Sequence, residues 1–462
     1  MLTQNAIAYT LKHLLSVALP TDSPLSFSFQ ADEQWLSLTF ANDCCIRIPL
    51  FNEEDYDVFL RGQAQPVVRP SADRKVSIPF FRPQFVEGHD SEPQCLDGVL
   101  VLPFDILSPS FVMLSREEEY SELPRDVHDR FMYNYSLARR YEFIDIPLVD
   151  EYAMLLREWV CAWLRPNITF VRRQGHVIPT HDIDHLYRFT GHLQAFKSIF
   201  GRDLLINKSL SQVRTSLNEY RAWRQDVHQD PYIKAIEELI QTSNDHHRKS
   251  IFFFKALIDG EADTTYDIGD VYVKDTITKI QQAGMTVGIH GGYDSYNSPS
   301  RLQLEKRRLE EVAGTTIVHG RQHYLRFCQH HHFDKIVNRS IYGQSLTGKT
   351  KTTLQTWQHA GILHDYTLGY AEQPGFRCGT CHPYPLYDLD NDCETNIIEH
   401  PLIVMDGSLI DYLHLNIDGC NTLISKLKNR CLAVEGDFII LWHNHLLSRN
   451  YRDIFNDVYM TL

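Results

Sequence analysis

Apolar positions recur at two different periods along the chain, and the change of period divides it. Residues 1–20 carry apolar side chains at near-helical spacing and predict an amphipathic helix. Leu25-Ser26-Phe27-Ser28-Phe29 and Leu36-Ser37-Leu38-Thr39-Phe40 alternate strictly and predict strands with one buried face, with a third in Ile46-Arg47-Ile48-Pro49. Residues 62–98, rich in Pro, Arg, Gln, Asp and Gly, read as loop. A short strand at 99–103 and a helix at 105–120, closing on Glu117-Glu118-Glu119, complete this half.

A helix over 149–164 leads into a second half with a different rhythm. After the lead-in Val177-Ile178-Pro179 comes a polar, mostly helical region, 186–249, in which Asp230-Pro231-Tyr232 starts a helix. Short apolar strands then alternate with helices: strands at 251–254, 286–290, 315–318, 361–366, 375–378, 397–405 and 438–442, and helices at 271–283, 301–312, 349–359 and 420–430. Such alternation predicts a parallel sheet closed into, or bent toward, a (β/α) barrel. The expected fold is therefore α/β, a distorted barrel over residues 151–462 behind a small α/β accessory domain over residues 1–150.

Composition narrows the class. A chain of 462 residues with 43% hydrophobic and 11% aromatic content is globular and too long for one small core. The net charge of −14, from 45 basic and 59 acidic side chains, argues against a dedicated nucleic-acid binder. The start lacks the layout of a signal peptide, and no apolar run reaches the roughly 20 residues that span a bilayer. A cytoplasmic protein is expected, its ten scattered cysteines reduced.

The chemistry gathers at strand ends. In Thr180-His181-Asp182-Ile183-Asp184-His185 the pleat puts Asp182 and Asp184 on one face and Ile183 on the other. Two carboxylates that close need a cation between them, and a metal on one with the other kept as a base satisfies this. Asp184 and His290 suit a first-row divalent ion such as Zn²⁺. Two candidates stay open as third ligand: Asp294, four residues after His290, and His323, beyond the next strand, which the rim position favours. His443, at the end of the last strong strand, is placed for general acid work. Arg321 and Arg377 each follow a strand, and either could pair with Asp182 or bind a sugar. Tyr324 and Trp442 are further candidates for contact with substrate. Cys378-Gly379-Thr380-Cys381 has no second ligand pair and reads as structural, and His330-His331-His332 reads as a solvated turn.

The order of these motifs resembles the polysaccharide deacetylases of carbohydrate esterase family four. It is closest to a two-domain bacterial subgroup with Thr-His-Asp-x-Asp (Thr180 to Asp184), Gly-x-His (Gly288 to His290), Arg-Gln-His (Arg321 to His323) and Gly-Phe-Arg-x-Gly-Thr (Gly375 to Thr380). Leu441-Trp442-His443 matches the family's final motif. Phe104-Asp105-Ile106-Leu107 and Met113-Leu114-Ser115-Arg116-Glu117-Glu118 resemble the subgroup's accessory domain. The resemblance implies Asp182 as base, Asp184 and His290 as metal ligands, Arg321 orienting the base and His443 as acid. It implies hydrolysis of the acetyl amide of an N-acetylated sugar, with backbone N–H groups around 322–324 holding the oxyanion. The chain departs from the wider family where His290-Gly291-Gly292-Tyr293-Asp294 lacks the second histidine of His-x-x-x-His. A carbohydrate-binding or scaffold protein in glycan assembly is the alternative.

Overall fold

The structure is a computed structural model and describes residues 2–20, 27–40, 45–71, 74, 76–86, 92–120, 123–164, 171–206, 209–257, 266–329 and 351–447. It is a mixed α/β protein with two main sheets and a small hairpin. The first sheet has the order β1-β2-β3-β7-β6, from β1 (Phe27–Ala31), β2 (Trp35–Phe40), β3 (Cys45–Pro49), β6 (Gln94–Leu96) and β7 (Val99–Val101). The hairpin pairs β4 (Val67–Ser71) with β5 (Val76–Phe80). That hairpin and β6 fall in the stretch expected to be loop. Pro70 and Pro79 hide the hairpin from a propensity reading, because proline is tolerated only on such edge strands.

The second sheet has nine strands in the order β13-β14-β12-β11-β10-β9-β8-β16-β15. They are β8 (Val177–Ile183), β9 (Ile251–Phe254), β10 (Thr286–Gly291), β11 (His319–Gln322), β12 (His364–Asp365), β13 (Tyr384–Asp388), β14 (Cys393–Glu399), β15 (Val404–Met405) and β16 (Phe438–Leu441). All neighbours are parallel except β13, which runs antiparallel to β14. Three expectations need correction. Residues 375–378 form a turn, because Gly375 adopts φ 141° and its backbone packs on Ile144. The strand expected at 315–318 forms instead at His319–Gln322, and the one expected at 397–405 is two strands, β14 and β15. The triple histidine at 330–332 lies outside the described residues.

The apolar strands are buried on both faces. Phe252, Phe254, Phe438 and Ile440 point into the main core, which also takes in Leu11, Leu36 and Trp357. Ile251, Phe253, Ile439 and Leu441 point the other way, into a smaller cluster with Leu325, Tyr366 and Leu402. The sheet therefore curls around an interior of its own. The Leu402 N–H, just before edge strand β15, donates to the Leu368 carbonyl beyond β12.

The N-terminal region packs on this sheet without a gap in the core. The helix Leu148–Trp159 contains residue 150, the expected boundary, and lies against the helix Gln4–Ala18. Next to it, Glu119 takes two hydrogen bonds from Arg377 Nη2 at 2.8 and 2.9 Å and one from Arg116 Nε at 2.9 Å. Arg116 also donates to the Arg377 carbonyl, and all three side chains are buried.

Asp365 and Glu399 face each other across β12 and β14, fully buried. Burial pushes Asp365 up from the usual 3.8 to about 6, and burial with Asp365 beside it raises Glu399 too. A raised carboxyl favours the folded state below its unfolded pKa and loses that contribution as pH rises through its folded pKa. Relative to Asp365→Asn, the wild-type chain should lose roughly 1–3 kcal/mol between pH 4 and pH 7. Denaturant unfolding of both chains across this range measures it, and parallel curves would exclude a raised Asp365 carboxyl.

Candidate metal and acid–base site

Strand β8 delivers the two carboxylates as its pleat requires: Asp182 and Asp184 line one cavity of about 500 Å³, while Ile183 enters the main core. Around Asp184 stand four nitrogens from four other segments. Its Oδ1 lies 3.0 Å from Lys255 Nζ and 3.4 Å from both His290 Nε2 and His323 Nε2, and its Oδ2 lies 3.5 Å from His443 Nε2. Burial opposes ionisation of Asp184, yet Lys255 and His323 hold it well below the usual carboxylate range.

Asp184, His290 and His323 each offer one ligand atom, all within 4.8 Å of one another. Metal–ligand bonds of about 2.0–2.1 Å at tetrahedral angles put donors about 3.4 Å apart, so this set fits Zn²⁺ or a similar divalent ion. His290 Nδ1 lies 3.0 Å from the Arg321 carbonyl, which fixes the ring with Nε2 toward the centre. Asp294 is not part of the group: its side chain is 70% exposed and sits 3.7 Å from Arg326 Nη1.

Asp182 lies deeper. Its Oδ1 accepts from Arg321 Nη1 at 2.9 Å, and Arg321 is itself fixed by Thr180 Oγ1 and the Tyr366 carbonyl. Burial disfavours the Asp182 anion, but His290, Arg321 and His443 hold its pKa below the usual value. The guanidinium also lies over the Phe253 ring, 4.7 Å from its centroid. That ring reaches under β10 because residue 288 is glycine; a Cβ there would sit 2.6 Å from the ring.

Two parts of the site went unread in the sequence although they stand at strand ends. Asp406, one residue past β15, accepts from the His443 backbone N–H at 2.6 Å and holds His443 Nδ1 at 2.7 Å. Burial lowers the pKa of His443, but Asp406 outweighs it and pushes it up to about 10. Lys255, one residue past β9, touches both Asp184 and His323. His445 also lines the cavity, held down to about 3 by burial and by His443.

The remaining expectations separate. Arg377 does not reach Asp182: it is committed to Glu119 and the Gly369 carbonyl. Trp442 is buried in the main core between Leu441 and His443, which face the cavity, and it does not line that cavity. Gln322 N–H, expected among the oxyanion donors, is used by Thr367 Oγ1 at 3.1 Å. Tyr324 does line the cavity. It and Leu325 adopt left-handed φ of 60° and 56°, a strain of about 1–3 kcal/mol each that turns the chain sharply after His323. The Tyr324 ring stacks on His128 at 4.3 Å, and its carbonyl accepts from Arg130, another cavity residue. The N-terminal half thus contributes to the wall, which nothing in its composition announced. Cys378 and Cys381 are buried, and burial pushes the Cys378 thiol up to about 12.

Residues 2–164 match a family model described as a family of unknown function, DUF7033. No curated protein matches the chain. Among solved structures, the chain is similar to a Mycobacterium smegmatis protein described as a polysaccharide deacetylase, at 16% identity over 63% of this chain and 84% of that one, TM-score 0.36. It is also similar to a CE4 family pseudoenzyme from Bacillus anthracis, at 11% identity over 49% and 57% of the two chains, TM-score 0.25. A mutant of that pseudoenzyme with restored enzymatic activity matches at 10% identity over 63% and 65%, TM-score 0.28. These are distant likenesses. No helix among the described residues is long and apolar enough to cross a membrane.

Proposed function

We propose that this chain is a metal-dependent hydrolase that removes acetyl from an N-acetylated sugar or glycan precursor. On this reading residues 151–462 are a distorted (β/α) barrel of the polysaccharide deacetylase type, and residues 1–150 pack on it and position substrate. One observation carries the reading: the donor set Asp184, His290 and His323 shares a cavity with a carboxylate held by Arg321 and an imidazole held by Asp406.

A divalent ion on that set would polarise the acetyl carbonyl and lower the pKa of water. Asp182, kept ionised, takes the proton from the attacking water. His443, kept protonated by Asp406, gives a proton to the leaving amine. Tyr324 and Arg130 line the wall where a sugar would rest.

Metal analysis of the purified full chain, with a hydrolysis screen of N-acetylated sugars, tests the reading. His323→Ala should lose most of the bound metal and Asp294→Ala none. Full occupancy in His323→Ala would remove it from the ligand set, and a wild-type chain that takes up no added divalent ion would overturn the metal assignment. The second reading, carbohydrate binding without turnover, draws on the contact of Lys255 with two of the three ligands; sugar binding without hydrolysis in metal-loaded protein would establish it.

A further inference from the structure

The donor set is already in use. Lys255 Nζ lies 3.0 Å from Asp184 Oδ1 and 2.9 Å from His323 Nε2, atoms of two of the three residues that would otherwise ligate an ion. The contact is buried: the Lys255 side chain is 2% exposed, and its backbone N–H is fixed by Tyr266 Oη, which also donates to the Ile183 carbonyl. An ammonium is a donor only, so its bond to His323 takes the lone pair of Nε2. A ring nitrogen has one such pair and cannot serve an N–H and a metal together. The carboxylate oxygen has a second lone pair, but an ammonium this near repels any divalent ion placed on it.

Charge points the same way. The permanent charges on the cavity wall are those of Asp182, Asp184, Asp406 and Asp411 against Lys255 and Arg130, with Arg321 behind Asp182. Asp411 and Arg130 belong to the outer wall. At the centre, Asp184 faces the Lys255 ammonium on one oxygen and His443 on the other. A divalent ion added without moving Lys255 would leave the centre over-positive.

We propose that the Lys255 ammonium is a built-in cation of this site and that a divalent metal must displace it from Asp184 and His323 in order to bind. The inference rests on the metal reading above and adds a second occupant to the same atoms. Lys255 lines the cavity, so its four-carbon stem has open volume into which to swing. Metal loading is then an exchange of cations, with lower affinity than the ligands alone would give.

Zn²⁺ titration of the full-length chain tests this, read by calorimetry and by bound metal after desalting. Lys255→Met keeps most of the stem and removes the charge and the N–H donors. It should bind Zn²⁺ on the order of 10–100-fold more tightly than wild type, since one ion pair and one charge-assisted hydrogen bond no longer compete. Zn²⁺ should also raise its Tm more than that of wild type. Lys255→Gln, neutral and polar, should show the same direction and serves if the Met variant does not fold. Equal affinity in wild type and both variants would overturn the exchange and leave the metal reading standing. Weaker binding in the variants would make Lys255 a support of the metal site and overturn it as well. No binding in any of the chains would overturn both readings.

Discussion

Replacing Asp182 with Asn should lower kcat by a factor on the order of 10²–10⁴ while bound metal and KM stay near wild type. Asn keeps the shape but cannot take a proton. Asp182 is suited to the part because Arg321 and His290 keep it ionised although it is almost wholly buried. The variant also leaves the Arg321 guanidinium without its carboxylate, and removing one member of a buried pair costs about 3–5 kcal/mol where nothing else holds the other. Here Thr180 and Tyr366 still accept from Arg321, so the fold should survive. Metal content and a denaturation curve on the same sample separate the two effects. An Asp182→Asn chain that turns over at the wild-type rate would remove the base assignment.

His443→Ala should spare an activated aryl ester and slow an amide on the order of 10²–10⁴-fold, because only the amine must be protonated as it leaves. Asp406 offers the companion measurement. It pushes His443 up to about 10, so Asp406→Asn should let that pKa fall toward the ordinary 6.5, and the basic limb of kcat/KM should move to lower pH. A basic limb that does not move would separate His443 from the acid role. Equal losses on amide and ester in His443→Ala would assign the residue to structure or substrate binding. His445, on the same wall, is the control, and burial and His443 hold it down at about 3, neutral at working pH and unfit as an acid.

Much of the site could be read from the chain because strand geometry is strict. Ionisable residues at or just past strand ends meet at one end of a parallel sheet, and Asp182, Asp184, His290, Arg321, His323 and His443 do so. The same alternation counts against Trp442, since its neighbours Leu441 and His443 face the cavity and it must face away. Lys255 and Asp406 also stand at strand ends; neither belongs to a familiar motif, and their importance lies in what they touch. Arg377 shows the limit of the approach. It sits in a turn and not at a strand end, and its partner, Glu119, lies 258 positions away. Arg130 reaches the cavity, and His128 stacks on Tyr324 in its wall, from a segment without periodicity, which only the packing of the two halves reveals.

The buried group of Arg116, Glu119 and Arg377 bears on how such chains can be recombined. Exchange of front halves between relatives works where the junction is ordinary apolar packing, because mismatched side chains can repack. Here a hybrid that inherits Arg377 without Glu119 would enclose a guanidinium without the carboxylate it pairs with, and the reverse would leave Glu119 to Arg116 alone. That penalty, about 3–5 kcal/mol, is a large part of the 5–15 kcal/mol that holds a typical domain folded. A workable chimera must therefore carry Arg116, Glu119 and Arg377 together across the join.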